Sequence, residues 1–429
     1  MLTVLEELQS RRLIHDATDM DLLAQRLNGD PIRVYHGIDP TAASLHLGNL
    51  IGVLVLRRLQ AVGHRPIALL GGATGMVGDP SGRSDERNLL DAATLEANAA
   101  GITAQLEALL DFDDMVLLVN NYDWIRNLTL VEFLRDTGKH VTVNQMLAKQ
   151  SVRSRMDSDI GISYTEFTYM LMQAYDFWWL HTHYRCELQI GGSDQWGNIA
   201  AGVDLIRRRS GVQVYGFTWP LLTRSDGAKF GKTAEGSVWL DPQCTSSYRF
   251  HQYFMQVPDA DVEQMLLQFT MLPVGEITDL VASHKHDPQR REAQRILANE
   301  VTALVHGSAM AAAAEKAAQI LFGSPIDDMD IPALEAVAAE VPTSVIKLTA
   351  EDGFDEFNSS FDLVELLAAS GLASSKGDAR RGLREGSIYV NNQRVASEAA
   401  TVSTDQLLHG RYFLLRRGKR RYHLLHVQR

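Results

Sequence analysis

The stretch IRVYHGIDPTAASLHLGNLIGVLVLRRLQAVGHRPIALLGG, residues 32–72, decides the fold. It opens with a short apolar run, residues 32–35, which predicts a buried strand that ends at His36-Gly37. The apolar spacing of residues 47–62 predicts a helix, and residues 66–70 predict a second buried strand that stops at a pair of glycines. A strand, a turn, a helix and a second strand predict a parallel sheet with helices on its faces. Ligands of such sheets lie beyond the carboxyl ends of the strands, so we expect the functional side chains there.

The chain as a whole divides into regions of different composition. A doubly wound, Rossmann-like α/β domain is predicted over residues 1–222, followed by a mobile loop and connector over residues 223–247. Alanine-rich sequence with few strand signals predicts an α-helical domain over residues 248–322. Residues 323–360 are acidic and contain prolines, which predicts a linker with one short helix. Residues 361–429 predict a small α+β domain.

Composition places the chain among ordinary globular proteins, because 45% of its 429 residues are hydrophobic and 22% are charged. No basic segment followed by an apolar stretch opens the sequence, and no run approaches the roughly 20 apolar residues of a membrane helix. We therefore expect a cytoplasmic protein without a membrane partner. The two cysteines, Cys186 and Cys244, are too few for a disulfide framework or a four-thiolate metal site. We interpret both as packing residues and expect no protein metal site.

The distribution of charge is uneven. A net charge of -12 argues against general nucleic-acid binding, because affinity for phosphates comes mainly from lysine and arginine. Residues 361–429, however, contain twelve lysines and arginines and six acidic residues, a net charge of +6 that leaves -18 for the rest. This contrast predicts a separate module that binds a polyanion, with a solvated surface of unusual composition as the alternative.

Glycines after predicted strands suggest phosphate binding, and two common motifs can be tested. Gly72, Gly75 and Gly78 are three residues apart, so they miss the spacing of the dinucleotide-binding fingerprint. Residues 227–233 end like a P-loop, but the first glycine is one residue too close to the second, and no strand directly precedes them. A classical ATPase or dehydrogenase is therefore disfavoured.

Two elements that are far apart in sequence remain as candidates for a nucleotide site. His46-Leu47-Gly48-Asn49 lies at a predicted helix start, where backbone amides and the helix dipole favour phosphate oxygens. Lys229 and Lys232 lie in a glycine-punctuated loop, and two ammonium groups suit a departing pyrophosphate whose charge grows during the reaction. Each element alone is a weak signal, because such turns and lysine pairs are usually structural or solvated. Their co-occurrence carries the prediction.

These two elements resemble the signatures of the class I aminoacyl-tRNA synthetases, at residues 46–49 and 229–233. Within that class the chain resembles the bacterial tyrosyl branch over essentially its whole length. Asn49 in the fourth signature position and the Lys-Phe-Gly-Lys-Thr form of the second signature depart from the class pattern but are normal for that branch. Further stretches that carry the resemblance are residues 35–41, 71–82, 121–124, 163–177 and 189–198.

The resemblance implies an enzyme that activates L-tyrosine with ATP, releases pyrophosphate and transfers tyrosine to the 3′ end of tRNA(Tyr). It implies ATP with Mg²⁺ as substrate, no tightly bound cofactor, and a homodimer joined through the sheet domain near residues 133–146. The implied catalytic residues are Thr41, His46, Asn49, Lys229, Lys232 and Thr233. The residues implied to bind ATP are Gly37, Asp39, His46, Gly48, Asn49, Gly192, Asp194 and Lys232. The roles of Arg83 and Arg87 stay open between phosphate binding and a surface loop.

A buried tyrosine substrate requires hydrogen-bond partners for its hydroxyl group, because an unpaired polar group is costly to bury. The resemblance implies that Tyr35 and Asp176 are these partners. Tyr169 and Gln173 are four residues apart and share a helix face that Asp176 continues. The alternative is an ordinary amphipathic helix, which fits poorly because apolar bulk surrounds these polar residues. The residues implied to bind L-tyrosine are Tyr35, Asp79, Tyr169, Gln173, Asp176 and Gln195.

The basic C-terminal region carries a second resemblance, at residues 374–381 and 386–392, to a small RNA-binding fold shared with a ribosomal small-subunit protein. The residues that it implies for RNA binding are Lys376, Arg380, Arg381 and Arg384. The α-helical domain is implied to lie on the anticodon side.

Two other functions stay open. A synthetase for tryptophan shares the architecture, although Tyr35 with Asp176 suits a phenol better than an indole. A structural RNA-binding protein built on an inactive synthetase body is the other, and the joint presence of both signatures argues against it.

Overall fold

The structure is a computed structural model of the 429-residue chain. It describes residues 2–81, 90–112, 115–149, 152–153, 156, 161–223, 225, 227, 230–233, 236–326, 329–347, 360–395, 397 and 400–428, with only the backbone at 232, 233 and 347. Two compact units result: Met1–Cys244 with Val257–Leu297, and Thr245–Gln256 with Ala298–Arg429.

The helices alternate with strands in the first half of the chain and dominate its middle. In chain order they are α1 (Val4–Ser10), α2 (Met20–Leu27), α3 (Leu47–Ala61), α4 (Thr74–Val77), α5 (Ala92–Leu109), α6 (Tyr122–Ile125), α7 (Leu130–Glu132), α8 (Val143–Leu147), α9 (Tyr164–Tyr184), α10 (Trp196–Ser210), α11 (Ser247–Met255), α12 (Asp259–Phe269), α13 (Val274–His286), α14 (Glu292–His306), α15 (Ser308–Leu321), α16 (Ile331–Ala338), α17 (Leu363–Ala369) and α18 (Lys376–Arg384).

The strands form one sheet in each unit, with smaller two-stranded pairs. They are β1 (Arg33–Ile38), β2 (Arg65–Leu70), β3 (Leu117–Asn120), β4 (Cys186–Gly192), β5 (Tyr215–Trp219), β6 (Lys232–Thr233), β7 (Gly236–Ser237), β8 (Thr343–Lys347), β9 (Ser360–Asp362), β10 (Ile388–Val390), β11 (Gln393–Val395), β12 (Thr401–Ser403), β13 (Tyr412–Arg417) and β14 (Arg421–Gln428).

The sheet of the first unit has the strand order β3-β2-β1-β4-β5, and every neighbouring pair is parallel. This confirms the doubly wound α/β fold predicted from residues 32–72. The strand order runs outward from β1 in both directions, so the chain leaves β1 and β4 toward opposite sides. The crevice beyond their carboxyl ends is the topological switch point, where this class of sheet binds ligands.

The predicted strand and helix limits differ from the observed ones in ways that have physical reasons. β1 does not stop at His36-Gly37, because Gly37 and Ile38 continue the pairing opposite Leu69 and Leu70 of β2. A glycine in a strand also marks a close approach of another element, so it is not always a strand end. A third strand, β3, follows at Leu117–Asn120.

Helix α3 begins where the sequence predicted it, and its first turn is capped by its own residues. The Asn49 amide donates to Nδ1 of His46 at 3.2 Å, and the His46 amide donates to Oδ1 of Asn49 at 3.1 Å. This reciprocal arrangement satisfies amides that have no partner within a helix. The first turn of α3 is therefore fixed beside the carboxyl end of β1.

The second unit contains a mixed sheet with the order β11-β10-β13-β14-β8, together with α17, α18 and the β9–β12 pair. This confirms the small α+β region at the C-terminal end. Within the segment 323–360, the predicted short helix is present as α16, which begins at Ile331 because the Asp330 side chain caps it. The same segment also contains β8, a strand that was not predicted from the sequence and that pairs in parallel with β14.

The two cysteines have different environments. Cys186 is buried in β4, as expected for a packing residue, whereas Cys244 is exposed, so the interpretation as a packing residue is wrong for Cys244. Among the described residues no group of histidine, cysteine and acidic side chains could hold a metal ion. No helix of the described part of the chain is long and apolar enough to cross a membrane.

Candidate active site

A cavity of about 790 Å³ lies in the first unit at the carboxyl ends of β1, β2 and β4. It brings together residues that are up to 204 positions apart in the sequence, from Tyr35 to Trp239. Of the residues predicted for substrate binding and catalysis, its lining includes Tyr35, Gly37, Asp39, Thr41, His46, Gly48, Asn49, Asp79, Tyr169, Gln173, Asp176, Gly192, Asp194 and Gln195. The structure thus places the predicted tyrosine residues and, apart from Lys232, the predicted ATP residues around one cavity.

The second signature is described only in part. Lys229 lies outside the described residues, as do Arg83 and Arg87, and only the backbone of Lys232 and Thr233 is described, in β6. The backbone nevertheless connects the two signatures: the Val238 amide donates to the Gly231 carbonyl at 2.9 Å, and the Leu47 amide donates to the Val238 carbonyl at 3.2 Å. The second signature therefore runs beside the first turn of α3.

One end of the cavity is built around the buried carboxylate of Asp176, on α9. It accepts hydrogen bonds from Nδ2 of Asn121 at 2.9 Å and from Nε1 of Trp124 at 2.8 Å. Burial nevertheless raises the pKa of Asp176 to about 7. The hydroxyl of Tyr35 is buried at the same end and has no hydrogen-bond partner among the described residues. An unpaired buried hydroxyl costs about 1–3 kcal/mol, which a ligand hydroxyl group can offset.

A second group of polar side chains surrounds Asp79, which also lines the cavity. Nε2 of Gln195 donates to Oδ2 of Asp79 at 2.7 Å, and Nδ2 of Asn198 donates to Oε1 of Gln195 at 3.0 Å. Lys149 in turn donates to Oδ1 of Asn198, and burial lowers the pKa of Lys149 to about 8. The chain of bonds fixes the carboxylate of Asp79, which suits it to a ligand ammonium group.

Asp39, predicted for the nucleotide, is held by two hydroxyl groups. Thr74 Oγ1 donates to Oδ1 of Asp39 at 2.7 Å, and the Tyr169 hydroxyl donates to Oδ2 at 2.9 Å. A Cβ atom on Gly71 would lie 2.0 Å from Oδ1 of Asp39, so this position requires glycine. Tyr169, predicted for the ammonium group, thus also fixes a residue on the nucleotide side.

The capping of α3 decides how its signature residues can contact phosphates. Nδ1 of His46 and Oδ1 of Asn49 serve as acceptors in the cap, so the donor atoms that remain are Nε2 of His46 and Nδ2 of Asn49. Both residues line the cavity. The cap therefore orients one donor nitrogen of each side chain beside the helix N-terminus, where the dipole favours anions.

Four cavity-related residues were not assigned a role from the sequence: Thr74, Asn121, Trp124 and Lys149. Asn121 connects the residues around Asp176 with those around Asp39, because its Nδ2 also donates to Thr74 Oγ1 at 2.9 Å. The available signal was position, since Thr74 and Asn121 closely follow the ends of β2 and β3. Lys149 carried no local signal, because its partner lies 49 residues away.

Comparison with known proteins agrees with this geometry. A model of class I tRNA synthetases of the tryptophan and tyrosine type matches residues 27–323, and a model of the SYY-like C-terminal domain of tyrosine–tRNA ligases matches residues 335–425, which include β8. The tyrosine–tRNA ligase of Opitutus terrae is 50% identical over 429 residues, covering 99% of this chain and 100% of the relative. That of Mycobacterium bovis is 48% identical and covers 97% of each.

Solved structures give the same result. A C-terminally truncated mitochondrial tyrosyl-tRNA synthetase of Aspergillus nidulans superposes with a TM-score of 0.69 at 36% identity, over 75% of this chain and 95% of that one. A tryptophanyl-tRNA synthetase of Encephalitozoon cuniculi, at 14% identity and a TM-score of 0.52, shares the fold. The fold and site define a class I aminoacyl-tRNA synthetase. Within that class, the chain belongs to the tyrosine–tRNA ligase family.

The raised pKa of Asp176 gives a testable pH dependence. A ligand hydroxyl can donate to the ionised carboxylate, so binding of tyrosine selects the ionised form, which is lost as pH falls through about 7. We expect the Kd for tyrosine to rise by about tenfold between pH 7.5 and pH 6. His36 stays neutral in this range, because burial lowers its pKa to about 4. Equilibrium dialysis with labelled tyrosine measures the change.

The control is Asp176→Asn, which keeps the shape of the side chain and cannot ionise. Its Kd, whatever its value at pH 7.5, should not vary over the same range. A wild-type Kd that is constant within twofold from pH 7.5 to pH 6 would contradict the assignment of Asp176 as the acceptor.

Proposed function

We propose that the chain activates L-tyrosine with ATP to tyrosyl-adenylate and pyrophosphate, and then transfers the tyrosyl group to the 3′ end of tRNA(Tyr). One observation supports the choice of substrate: the buried Asp176 carboxylate and the Tyr35 hydroxyl lie together in the cavity that the first signature borders, and this hydroxyl has no hydrogen-bond partner among the described residues. A phenol hydroxyl can donate to the first and accept from the second. An indole, with a single donor, can satisfy only one of them.

The first step is in-line attack of the tyrosine carboxylate on the α-phosphate of ATP. The attacking group is already ionised, so no protein nucleophile or general base is required. Catalysis then consists of alignment and stabilisation of charge. We assign Thr41, His46 and Asn49 to the phosphates, and Lys229, Lys232 and Thr233 to the pyrophosphate as it departs.

The remaining contacts follow from the cavity. Asp79, Tyr169 and Gln173 are assigned to the ammonium group of tyrosine, and Gln195 to its carboxylate. ATP is expected to bring Mg²⁺ with it, held chiefly by its phosphates, as is usual for this ion. The residues assigned to the ribose and to close backbone approach are Gly37, Asp39, Gly48, Gly192 and Asp194.

Amino-acid-dependent exchange of pyrophosphate into ATP tests the activity directly. The wild-type chain should catalyse exchange with tyrosine, whereas phenylalanine and tryptophan leave buried polar groups unpaired. Their kcat/KM should be lower by at least about 10⁴-fold, a magnitude adopted from the known discrimination of tyrosyl-tRNA synthetase itself and not an independent prediction. Preference for tryptophan would establish the other member of the class, and absence of exchange with all three would favour an inactive RNA-binding body.

We also propose that residues 361–429 bind RNA, as a domain separate from the catalytic region (1–222), the signature loop and connector (223–247), the anticodon-side helical region (248–322) and the linker (323–360). The basic helix α18 supports this. Arg381 donates to Asp378 at 2.6 Å. Arg417 of β13 donates two further hydrogen bonds to the same carboxylate, at 2.7 and 2.9 Å. Lys376 pairs with Glu365. Asp378 thus aligns α18 with the sheet.

Arg380, exposed on α18, is suited to a test of RNA binding. Replacing it with alanine should raise the KM for tRNA severalfold. The slope of log Kd for tRNA against log salt concentration should decrease by roughly one, since one phosphate contact is lost. Pyrophosphate exchange should not change, because it requires no tRNA. Arg12→Ala, which removes an exposed cation that lies outside residues 248–429, is the matched control. An equal effect of both substitutions on tRNA binding would contradict a specific role of α18.

We propose further that the chain forms a homodimer through the first unit, near residues 133–146. Apolar side chains are unusually exposed there and just before: Leu130 is 71% exposed, Val131 69% and Val143 59%. Neighbouring exposed apolar residues mark interaction surfaces, because each Å² removed from water contributes about 25 cal/mol. A cytoplasmic location stays a prediction from the sequence.

Sedimentation velocity tests the dimer. The wild-type chain should sediment at twice the mass of one chain, and Leu130→Asp should sediment as a single chain, because a carboxylate would have to be buried at the interface. Val62→Asp places the same charge at another exposed apolar position, 54% exposed, and should leave the dimer intact. A wild-type monomer at micromolar concentration would contradict the proposal.

A further inference from the structure

The loop of the second signature is attached to helix α12 at a point that lies away from the cavity. Ser225, in this loop, donates through its amide to Oδ1 of Asp261 at 3.0 Å and through its hydroxyl to Oδ2 at 3.2 Å. Both oxygens of the carboxylate are therefore occupied by one loop residue. Asp261 is in the first turn of α12 and only 5% exposed. A buried carboxylate depends on such donors, because it has lost its contact with water.

The end of the loop is attached to the other end of the same helix. The ring of Phe230 packs against the ring of Phe269, with centroids 5.6 Å apart. The Phe230 amide donates to the Leu222 carbonyl at 3.1 Å, which closes the base of the loop. The loop thus contacts α12 in its first turn through Asp261 and in its last turn through Phe269.

Helix α12 is itself fixed to the helix that carries the first signature. Arg58, in the last turn of α3, is buried and donates to the carbonyl of Thr270 at 2.6 Å and to that of Gln268 at 3.3 Å. Arg11 donates to the carbonyls of Leu267 and Leu272 at 3.0 and 2.7 Å. These guanidinium groups satisfy carbonyls that the end of a helix leaves without partners. The position of α12 relative to α3 is therefore set by buried hydrogen bonds.

Beyond Phe230 the chain runs beside the first turn of α3. Gly231 has a φ of +81°, which favours glycine, and its carbonyl accepts from Val238 beside the first turn of α3. The backbone of Lys232 follows directly. A residue that fixes the loop at Ser225 therefore acts on the same short segment that delivers the signature cations.

We propose that Asp261 is a positioning residue for the adenylate-forming step, which sets the second-signature loop against α12 through Ser225. It does not contact the substrates. The inference rests on the proposed function, because the effect of Asp261 is exerted through Lys229 and Lys232 as the groups that stabilise departing pyrophosphate. Loss of the attachment lowers kcat for the adenylate-forming step, and it leaves the tyrosine pocket intact.

Two substitutions at this position separate geometry from charge. Asp261→Ala removes both hydrogen bonds, and the kcat of tyrosine-dependent pyrophosphate exchange should fall by about tenfold or more, as expected for bonds to a charged group. Asp261→Asn retains an acceptor for the Ser225 amide, and its amide group can donate to the Ser225 hydroxyl. Its kcat should therefore stay within about threefold of the wild type. The Kd for tyrosine, from equilibrium dialysis, should be unchanged in both variants.

The loop side of the contact and the helix provide controls. Ser225→Ala loses one of the two bonds and should give an intermediate loss, and adding it to Asp261→Ala should cause no further loss, since the two residues act as one contact. Glu263→Ala, on the same helix, removes an exposed carboxylate that pairs with Arg12 at 3.2 Å, and should leave exchange unchanged.

The outcomes are distinct. A kcat that is unchanged in Asp261→Ala, a Kd for tyrosine that worsens as much as kcat, or a failure of Asp261→Asn to restore activity would overturn the positioning role. Absence of tyrosine-dependent exchange in the wild-type chain would instead contradict the proposed function itself.

Discussion

The carboxylate of Asp176, held away from water, is the constraint on which the candidate site depends. A buried carboxylate is stable only when donors surround it, and Asn121 and Trp124 supply two. Asn121 also accepts from the Ala73 amide and donates to Thr74. The ends of β2 and β3 are thereby joined to α9, and the same bonds continue through Thr74 to Asp39. One network of neutral donors therefore connects the end of the cavity that suits a phenol with the side that suits a nucleotide.

Much of this arrangement could be predicted from the sequence, for two separate reasons. The α/β fold follows from local periodicity, because a buried strand, a capped helix and a second strand are each encoded within a few residues. The cavity residues such as Tyr35, Asp176 and Asp194 came from the resemblance to a family, supported by their position after predicted strands. Periodicity alone does not show that residues 141 positions apart, such as Tyr35 and Asp176, face the same space.

The parts that could not be predicted depend on contacts over long distances in the sequence. Asn121 and Trp124 bond to a residue more than 50 positions away, so their position after a strand marks them but does not identify their partner. β8 is a short strand in an acidic, proline-bearing segment, and it is stabilised by its pairing with β14 at the far end of the chain. Cys244 was assigned to the core from the usual burial of cysteine, but it is exposed. Composition gives the average burial and structural preference of a residue type. It does not show which distant residue or strand a given residue contacts in the fold.

Helix α3 shows how the local and the distant parts combine. Its 15 residues span about 22 Å, and residues at both ends contact or orient groups outside the helix. At the N-terminus, the caps made by His46 and Asn49 use one polar atom of each side chain and orient the other. At the C-terminus, the buried Arg58 fixes α12, on which the loop of the second signature is anchored. The two signatures are more than 180 residues apart in sequence, yet a single rigid helix relates the positions of both. A sequence pattern can identify each signature, but the packing of α3 against α12 and the backbone bonds from Gly231 through Val238 to Leu47 bring their described residues close together.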